Sequence, residues 1–227
     1  PVEVFHSHHY LRHNQRRQEH LATLGLDLAR KTVLEVGAGI GDHSSFFLDR
    51  GCTMTITEAR LQNLSYIQKR YPAATVRQLD LNDPPANLGG TFEIVYCYGT
   101  LYHLEKPETA LKFMSSLCTG MLLLETCVSF TDTGTINLWS ENPLDPSQSI
   151  LSQGCRPARS WIFETLKKLF PYVYMPLTQP WHEEFPLDWT AVAPSPSSHS
   201  RAVFIASREK LDCASLTDNI PMKQRRC

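Results

Sequence analysis

A glycine-rich turn with an acidic residue before it is the part of this 227-residue sequence best suited to bind a ligand. The run Glu35-Val36-Gly37-Ala38-Gly39-Ile40-Gly41 follows a short apolar segment and precedes a segment with helical periodicity. Glycine permits positive φ and lets a ligand approach the main chain, and in an open α/β sheet this turn lies at the carboxyl edge. The spacing is not the G-x-G-x-x-G of dinucleotide-binding proteins, and no P-loop lysine follows.

Two further carboxylates follow the next two predicted strands. Glu58 ends the second strand, about 20 residues after the first glycine, where a carboxylate can accept hydrogen bonds from ribose hydroxyls. Asp80 ends the third strand, where it can meet an adenine amino group. Glu35 would lie near an amino end of the same ligand. The pattern predicts a nucleoside-like ligand at this edge of the sheet.

These residues need a parallel sheet to bring them together, and the sequence supplies its elements. Strands are predicted at Thr32–Val36, Thr53–Thr57, Thr75–Leu79, Phe92–Cys97, Met121–Thr126, Tyr172–Leu177 and Arg201–Ser207, and helices at Tyr10–Leu24, Asp42–Arg50, Leu61–Arg70, Pro107–Cys118 and Ala158–Phe170. Short strands that alternate with helices indicate a parallel sheet with crossover helices.

The length indicates one domain, over residues 1–212. We divide it into an N-terminal helical cap (1–29), a ligand-binding half (30–126) and a second half (127–212), followed by a loose C-terminal tail (213–227). The second half contains two long irregular stretches with embedded tryptophans, which favour lids over a binding site.

The composition excludes several classes of protein. A formal net charge of −1 argues against nucleic-acid partners and anionic membranes. There is no apolar run long enough for a membrane span and no apolar signal core near the start of the sequence. Seven cysteines without a C-x-x-C pair indicate reduced thiols, so we expect a cytoplasmic protein.

Residues 30–126 resemble class I S-adenosylmethionine-dependent methyltransferases. The E-x-G-x-G-x-G loop, the acidic ends of strands two and three, and the segment YCYGTLYHL at 96–104 carry the resemblance, and the full chain resembles small stand-alone bacterial members. The resemblance implies a Rossmann-like, doubly wound α/β fold. Its seven-stranded, mostly parallel sheet would have an antiparallel last strand, an N-terminal helical cap and long inserts near strands five to seven.

The same resemblance implies S-adenosylmethionine as cofactor, with S-adenosylhomocysteine as product. The residues expected to bind it are Tyr10, Arg16, Glu35, Gly37, Ala38, Gly39, Gly41, Glu58, Ala59, Arg60, Asp80, Leu81 and Tyr98. Arg16 would pair with the carboxylate of the cofactor, from a cap helix on which Tyr10, His13 and Arg16 share one side. A solvated basic face is the alternative for this helix.

Two residues are catalytic candidates. His103, just past strand four, would act as a general base towards a hydroxyl acceptor, or would only brace the loop. Glu125, at the end of strand five, would bind the acceptor or orient His103. The residues expected at the acceptor are Tyr102, Trp139, Arg156, Arg159 and His182, with the two arginines forming an anion site at a helix start.

No metal is expected, because the histidines before residue 21 lack a carboxylate or cysteine at ligand spacing. We also do not expect His182 and Glu183 to act as a metal-binding pair. We predict methyl transfer to a small-molecule or peptide-derived acceptor, at a hydroxyl or carboxylate oxygen, as in natural-product biosynthesis. The alternatives are a methyltransferase of tRNA or protein and a non-catalytic cofactor-binding subunit. Exposed aromatic inserts would allow a homodimer.

Overall fold

A computed structural model describes residues 2–193 and 199–227 of the chain. The α-helices are α1 (His8–Thr23), α2 (Ser44–Leu48), α3 (Leu61–Arg70), α4 (Pro107–Leu117) and α5 (Arg159–Leu169), and 3-10 helices span Val2–His6 and Leu101–His103. The strands are β1 (Thr32–Val36), β2 (Thr53–Glu58), β3 (Thr75–Gln78), β4 (Phe92–Tyr98), β5 (Cys118–Val128), β6 (Leu138–Ser140), β7 (Gln153–Cys155), β8 (Tyr172–Pro176), β9 (Thr178–Gln179), β10 (Ser200–Ser207), β11 (Leu216–Thr217) and β12 (Arg225–Arg226).

The main sheet has the order β11-β8-β10-β5-β4-β1-β2-β3. Strands β1 to β5 pair in parallel, and β10 runs antiparallel to both of its neighbours, β5 and β8. The predicted Rossmann-like architecture with an antiparallel last strand is therefore confirmed. The two-residue strand β11 adds an eighth strand beside the predicted seven.

Both faces of this sheet are covered, which is why its strands are apolar on both sides. Val33 and Leu34 are neighbours on β1 and point to opposite faces, as alternate residues of a strand must. Val33 packs in the cluster that contains Phe47 of α2, whereas Leu34 packs in the cluster that contains Met114 of α4 and Ile162 of α5. All five side chains are fully buried. Parallel strands with helices on both faces bring the carboxyl ends of β1 to β5 to one open edge.

The segment 213–227 is not the loose tail that the sequence predicts. Strand β11 extends the main sheet by pairing with β8, and β12 pairs in parallel with β9. The indole N–H of Trp181 donates to the carbonyl of Cys227 at 2.7 Å. The short hydrophobic and basic runs of this segment gave no strand signal, because a two-residue strand has no periodicity to detect.

The first irregular insert also contains structure. Strands β6 and β7 form an antiparallel pair that stands apart from the main sheet. Within the described ranges, the structure contains no helix that is long and apolar enough to cross a membrane.

Candidate active site

The glycine turn leaves β1 and folds tightly against the chain that follows β4. Gly37, Gly39 and Gly41 all have positive φ, at 64°, 59° and 79°. A Cβ atom on Gly37 would lie 2.2 Å from the Oγ1 atom of Thr100, so no side chain fits there. Three left-handed glycines at alternate positions expose main-chain groups that a ligand can approach.

Glu58 at the end of β2 is held rigidly beside this turn. Its Oε2 atom accepts the N–H of Gly39 at 2.9 Å, and its Oε1 atom accepts the N–H of Arg60 at 3.0 Å. Burial raises the pKa of this carboxyl, while the backbone N–H groups oppose the rise. Since each carboxylate oxygen has two lone pairs, Glu58 can still accept hydrogen bonds from a ligand.

An open cleft of about 640 Å³, here called the outer cleft, lies above Glu58. It is lined by eight of the predicted cofactor residues, namely Tyr10, Gly37, Gly39, Glu58, Ala59, Arg60, Asp80 and Leu81, and by His103. The sequence did not identify its other walls, which include Phe5, Asn63, Asn82, Thr100 and residues 146–150. The Nδ2 atom of Asn82 is buried and has no hydrogen-bond partner among the described residues, so it is available to a ligand.

A second, more polar cavity of about 520 Å³, the inner pocket, adjoins the first. Phe5, Tyr10, Gly37 and Gly99 line both. The predicted residues Glu35, Ala38, Tyr98 and Tyr102 line the inner pocket, together with His13, Asn14, Arg17, His43, Tyr96 and Arg201, which the sequence did not single out as site residues. The two cavities therefore form one continuous site along the carboxyl edge of the sheet.

The acidic and aromatic groups of the inner pocket are strongly influenced by burial. The Ser44 hydroxyl donates to Glu35 at 2.5 Å, and burial raises the pKa of Glu35 to about 7. His43 Nδ1 lies 2.6 Å from the Tyr96 hydroxyl, and burial lowers the pKa of His43 to about 3. The hydroxyl of Tyr98 has no partner among the described residues. Beside the guanidinium groups of Arg17 and Arg201, this pocket therefore offers neutral hydroxyl and imidazole groups to a ligand.

Glu125, three residues before the end of β5, joins two arginines that line the inner pocket. Its carboxylate lies 2.6 Å from Nη2 of Arg17 and 3.2 Å from Nη1 of Arg201, and it is completely buried. Arg201 also pairs through Nε with Glu184 at 2.5 Å and donates to the Tyr102 hydroxyl at 3.3 Å. A buried guanidinium needs such partners, so Glu125 holds both arginines in place.

His103 faces the outer cleft and is oriented by a carboxylate. Its Nδ1 atom lies 2.5 Å from Oε2 of Glu141, which also accepts the N–H of Ser149 at 2.8 Å. Burial lowers the pKa of His103, and Glu141 partly offsets that effect. A histidine whose Nδ1 is held by a carboxylate leaves Nε2 free to accept a proton, which is the usual arrangement of a general base.

The comparison with family models decides the family. The model for the methyltransferase domain matches residues 7–170, which include the glycine turn, both acidic strand ends and His103. The chain belongs to the methyltransferase domain family.

Solved structures share this fold at low sequence identity. The N-terminal domain of EvdMO1, crystallised with S-adenosylhomocysteine (SAH) and D-fucose, has a TM-score of 0.65 and 19% identity over 88% of this chain and 84% of its own. Magnesium protoporphyrin IX methyltransferase from Synechocystis PCC 6803 has a TM-score of 0.55 and 16% identity over 88% of this chain and 81% of its own. An S-adenosylmethionine-dependent methyltransferase from Mesorhizobium loti has a TM-score of 0.60 and 13% identity over 85% of this chain and 98% of its own. No curated protein matches the chain significantly.

In this methyltransferase, α1 presents Arg17 to the site and not Arg16. The buried residues His13, Asn14 and Arg17 lie three, four and seven positions after Tyr10, on the inward side of the helix. Arg16 instead pairs with Glu19 at 2.6 Å and lines neither cavity. The structure places Arg16 away from the predicted site because a residue six positions after Tyr10 lies about 120° away around a helix, whereas the seventh returns to the same side.

Glu125 and Gly41 also differ from their predicted roles. Glu125 lines neither cavity and does not contact His103, since its partners are the two arginines, so it is a positioning residue. Gly41 lines neither cavity either; a Cβ atom there would lie 2.8 Å from the ring of Tyr71. A glycine is needed at this position because φ is positive and the Tyr71 ring leaves little room for a Cβ atom.

Most of the predicted acceptor residues lie outside the two cavities. The Arg159 guanidinium donates to the Pro221 carbonyl at 2.8 Å and stacks 3.9 Å from the Trp189 ring, so it cannot form an anion site with Arg156. Arg156 lies 3.4 Å from Glu141 and 5.3 Å from the ring centre of Trp139, which is 43% exposed. His182 is buried against α1. Of the predicted acceptor residues, Tyr102 is the one that lines the inner pocket.

Proposed function

We propose that this methyltransferase transfers the methyl group of S-adenosylmethionine to an oxygen atom of a small-molecule or peptide-derived acceptor. The main support for this cofactor is the geometry of Glu58. Its carboxylate is fixed by two backbone N–H groups at the wall of the outer cleft and retains lone pairs for ribose hydroxyls. Asp80 and the unpartnered Asn82 Nδ2 suit an adenine ring on the same wall. The bound SAH and S-adenosylmethionine of the structural relatives support the same ligand.

The inner pocket suits the amino-acid end of the cofactor. Arg17 reaches the wall shared by both cavities, since a Cβ on Gly99 would lie 3.0 Å from its Nη2 atom. We assign to Arg17 the carboxylate pairing that the sequence assigned to Arg16, and to Glu35 the neighbouring ammonium group. When bound, the cofactor supplies a methyl group on a sulfonium, an electrophile that needs positioning and exclusion of water.

The acceptor oxygen determines whether a base is needed. For a hydroxyl acceptor, Nε2 of His103 takes the proton while the Glu141 carboxylate stabilises the imidazolium that forms. A carboxylate acceptor is already nucleophilic, and the Arg201 guanidinium in the inner pocket would attract it. A small acceptor with a hydroxyl or carboxylate suits this polar pocket. A tRNA acceptor is disfavoured, because a chain of net charge −1 provides little attraction for a polyanion.

Calorimetry tests the cofactor assignment. We expect S-adenosylmethionine and SAH to bind the full chain at 1:1, and Glu58→Ala to raise both dissociation constants at least about tenfold, which corresponds to about 1.4 kcal/mol. Glu164→Ala, on the exposed side of α5, is the matched control and should bind like the wild type. Unchanged affinity in Glu58→Ala would contradict the assignment.

Transfer of an isotope-labelled methyl group tests the acceptor. Candidate hydroxyl and carboxyl compounds, bulk tRNA and bulk protein are each incubated with the chain and labelled S-adenosylmethionine. Methyl esters release labelled methanol in alkali, whereas methyl ethers do not, so the two oxygen acceptors are distinguished. Label that enters tRNA or protein, but none of the small compounds, would favour a macromolecular methyltransferase.

A further inference from the structure

Three histidines and two glutamates meet where α1 packs against residues 180–185. His9 and His13 lie one turn apart on α1, and His182, Glu183 and Glu184 lie on the facing segment. The sequence predicts no metal site, since each segment alone lacks a full set of ligands. The fold joins the two incomplete sets into one, here called the His–Glu cluster.

The nitrogen-to-oxygen distances in the cluster are those of ligands that share an ion. Nε2 of His13 lies 3.7 Å from Oε2 of Glu184, and Nε2 of His9 lies 3.5 Å from Oε1 of the same carboxylate. The ligand atoms of His13, His182 and Glu184 all lie within 4.8 Å of one another. Tetrahedral zinc with metal–nitrogen bonds of 2.0–2.1 Å separates its ligand atoms by about 3.3 Å, so His13, His182 and Glu184 need only small side-chain movements. The exposed His9, which groups with His182 and Glu183, must turn towards them.

Two buried nitrogen atoms in the cluster lack partners. His13 is 4% exposed and His182 is 2% exposed, and the Nε2 atom of each has no hydrogen-bond partner among the described residues. A buried polar atom without a partner costs free energy of folding, which a bound ion would recover. Ligation through Nε2 of His182 places the proton on Nδ1, so the long 3.3 Å bond that Nδ1 accepts from the Glu184 N–H would be given up.

We propose that the His–Glu cluster binds one divalent transition-metal ion through His13, His182 and Glu184, with His9 as the fourth ligand. Two imidazoles and a carboxylate are a set that zinc and ferrous iron use, and a third imidazole favours zinc. Oε2 of Glu184, the oxygen nearest to His13, keeps its pairing with Arg201, and the carboxylate binds the ion through Oε1, which lies 3.5 Å from Nε2 of His9. Arg12 pairs with Glu183 and keeps that carboxylate outside the set.

The His–Glu cluster lies beside the inner pocket, so an ion bound there would affect the walls of that pocket. His13 lines the inner pocket, and Glu184 holds Arg201, which lines the same pocket. An ion at the cluster therefore fastens α1 to residues 180–185 and fixes two walls of the pocket together. The exposed side chain of His9 gives the ion a path from solvent.

Zinc titration tests this site without the cofactor. The full chain is stripped with a chelator and titrated with Zn²⁺ by calorimetry, and with Co²⁺, whose visible absorption reports tetrahedral nitrogen and oxygen ligands. We expect one equivalent of Zn²⁺ with a rise in the melting temperature. His13→Ala, His182→Ala and the exposed variant His9→Ala should each weaken binding at least tenfold.

The matched control is His8→Ala, which removes an exposed histidine from the same helix. It should bind Zn²⁺ like the wild type. Absence of a one-equivalent site, or equal weakening in His8→Ala and His9→Ala, would overturn the proposal, since it would leave only adventitious surface binding. Because no methyl transfer is measured, failure here is distinct from failure of the proposed function.

Discussion

At the scale of single residues, Arg17 and Arg16 form a natural pair of test and control. Arg17 lies in the inner pocket and pairs with the buried Glu125, whereas Arg16 lies outside both cavities. We expect Arg17→Lys to raise the dissociation constant for SAH about tenfold, because an ammonium cannot reproduce a bidentate pairing with a carboxylate. Lysine keeps a positive charge beside Glu125 and so avoids an unpaired buried charge.

Calorimetry with SAH measures the effect, and circular dichroism shows that the variant is folded. Arg16→Lys should bind within about twofold of the wild type, as expected for an exposed pair. If Arg17→Lys bound as tightly as the wild type, another group would have to hold the carboxylate of the cofactor.

The pair of His103 and Glu141 predicts a pH dependence of definite sign. The base must be neutral to act, burial lowers the pKa of His103, and Glu141 raises it. Glu141→Gln removes the raising influence, so the pKa falls further and the acid limb of kcat/KM moves to lower pH. The neutral-pH kcat should fall roughly tenfold or more, because the imidazolium loses its counter-ion.

Rate profiles from pH 5 to 9 with a hydroxyl acceptor measure both effects. Glu108→Gln, an exposed carboxyl on α4, should leave the profile in place. An acid limb that stayed fixed, or moved to higher pH, in Glu141→Gln would show that His103 is not the base for that acceptor.

At the scale of elements, one arginine fastens the insert that covers the outer cleft. Nη2 of Arg60 donates to the carbonyls of Pro143, Gln148 and Ser149 at 3.0–3.1 Å. We expect Arg60→Ala to free residues 141–150, so that limited proteolysis cuts there faster and SAH binds more weakly. Lys69→Ala, on the exposed side of α3, is the control, and equal cleavage in both variants would contradict this role for Arg60.

The elements also show where sequence patterns are sufficient. The predicted bounds of α3 match the structure because its apolar residues recur at helical spacing. Those of β1 match because a short apolar run ends at the glycine turn. Glu141 was missed since it lies in an insert without periodicity, and only the folded hairpin brings it to His103. Arg17 was missed because the sequence-based prediction placed the wrong residue on the same side of α1 as Tyr10. In the structure, the burial of Arg17 shows which side of the helix faces the site.

At the scale of the whole molecule, the C-terminal segment closes the structure behind the site. Strand β12 pairs with β9, just before the residues that carry Glu184, and Arg159 is held by the carbonyl of Pro221. Contacts between segments so distant in sequence follow no local pattern, which is why the sequence alone did not predict them. They join residues 225–227 to the segment 178–185, which carries Glu184.

Gln224 is the residue on which that closure depends. Its Oε1 atom accepts hydrogen bonds from Nε1 of Trp189 at 2.9 Å and from Nε2 of Gln179 at 3.0 Å, and both donors belong to buried side chains. Gln224→Ala would leave the Trp189 donor unpaired and Gln179 Nε2 with only its bond to the Pro186 carbonyl at 3.3 Å. The free energy of unfolding should therefore fall by about 1–3 kcal/mol, as measured by urea denaturation. The neighbouring Lys223 makes only an exposed ion pair with Asp188 at 3.4 Å, so Lys223→Ala should change stability by less than about 1 kcal/mol. Equal losses in the two variants would mean that the segment stabilises the fold only through its backbone pairing, and that the Gln224 side chain does not hold the loop of Trp189 against it.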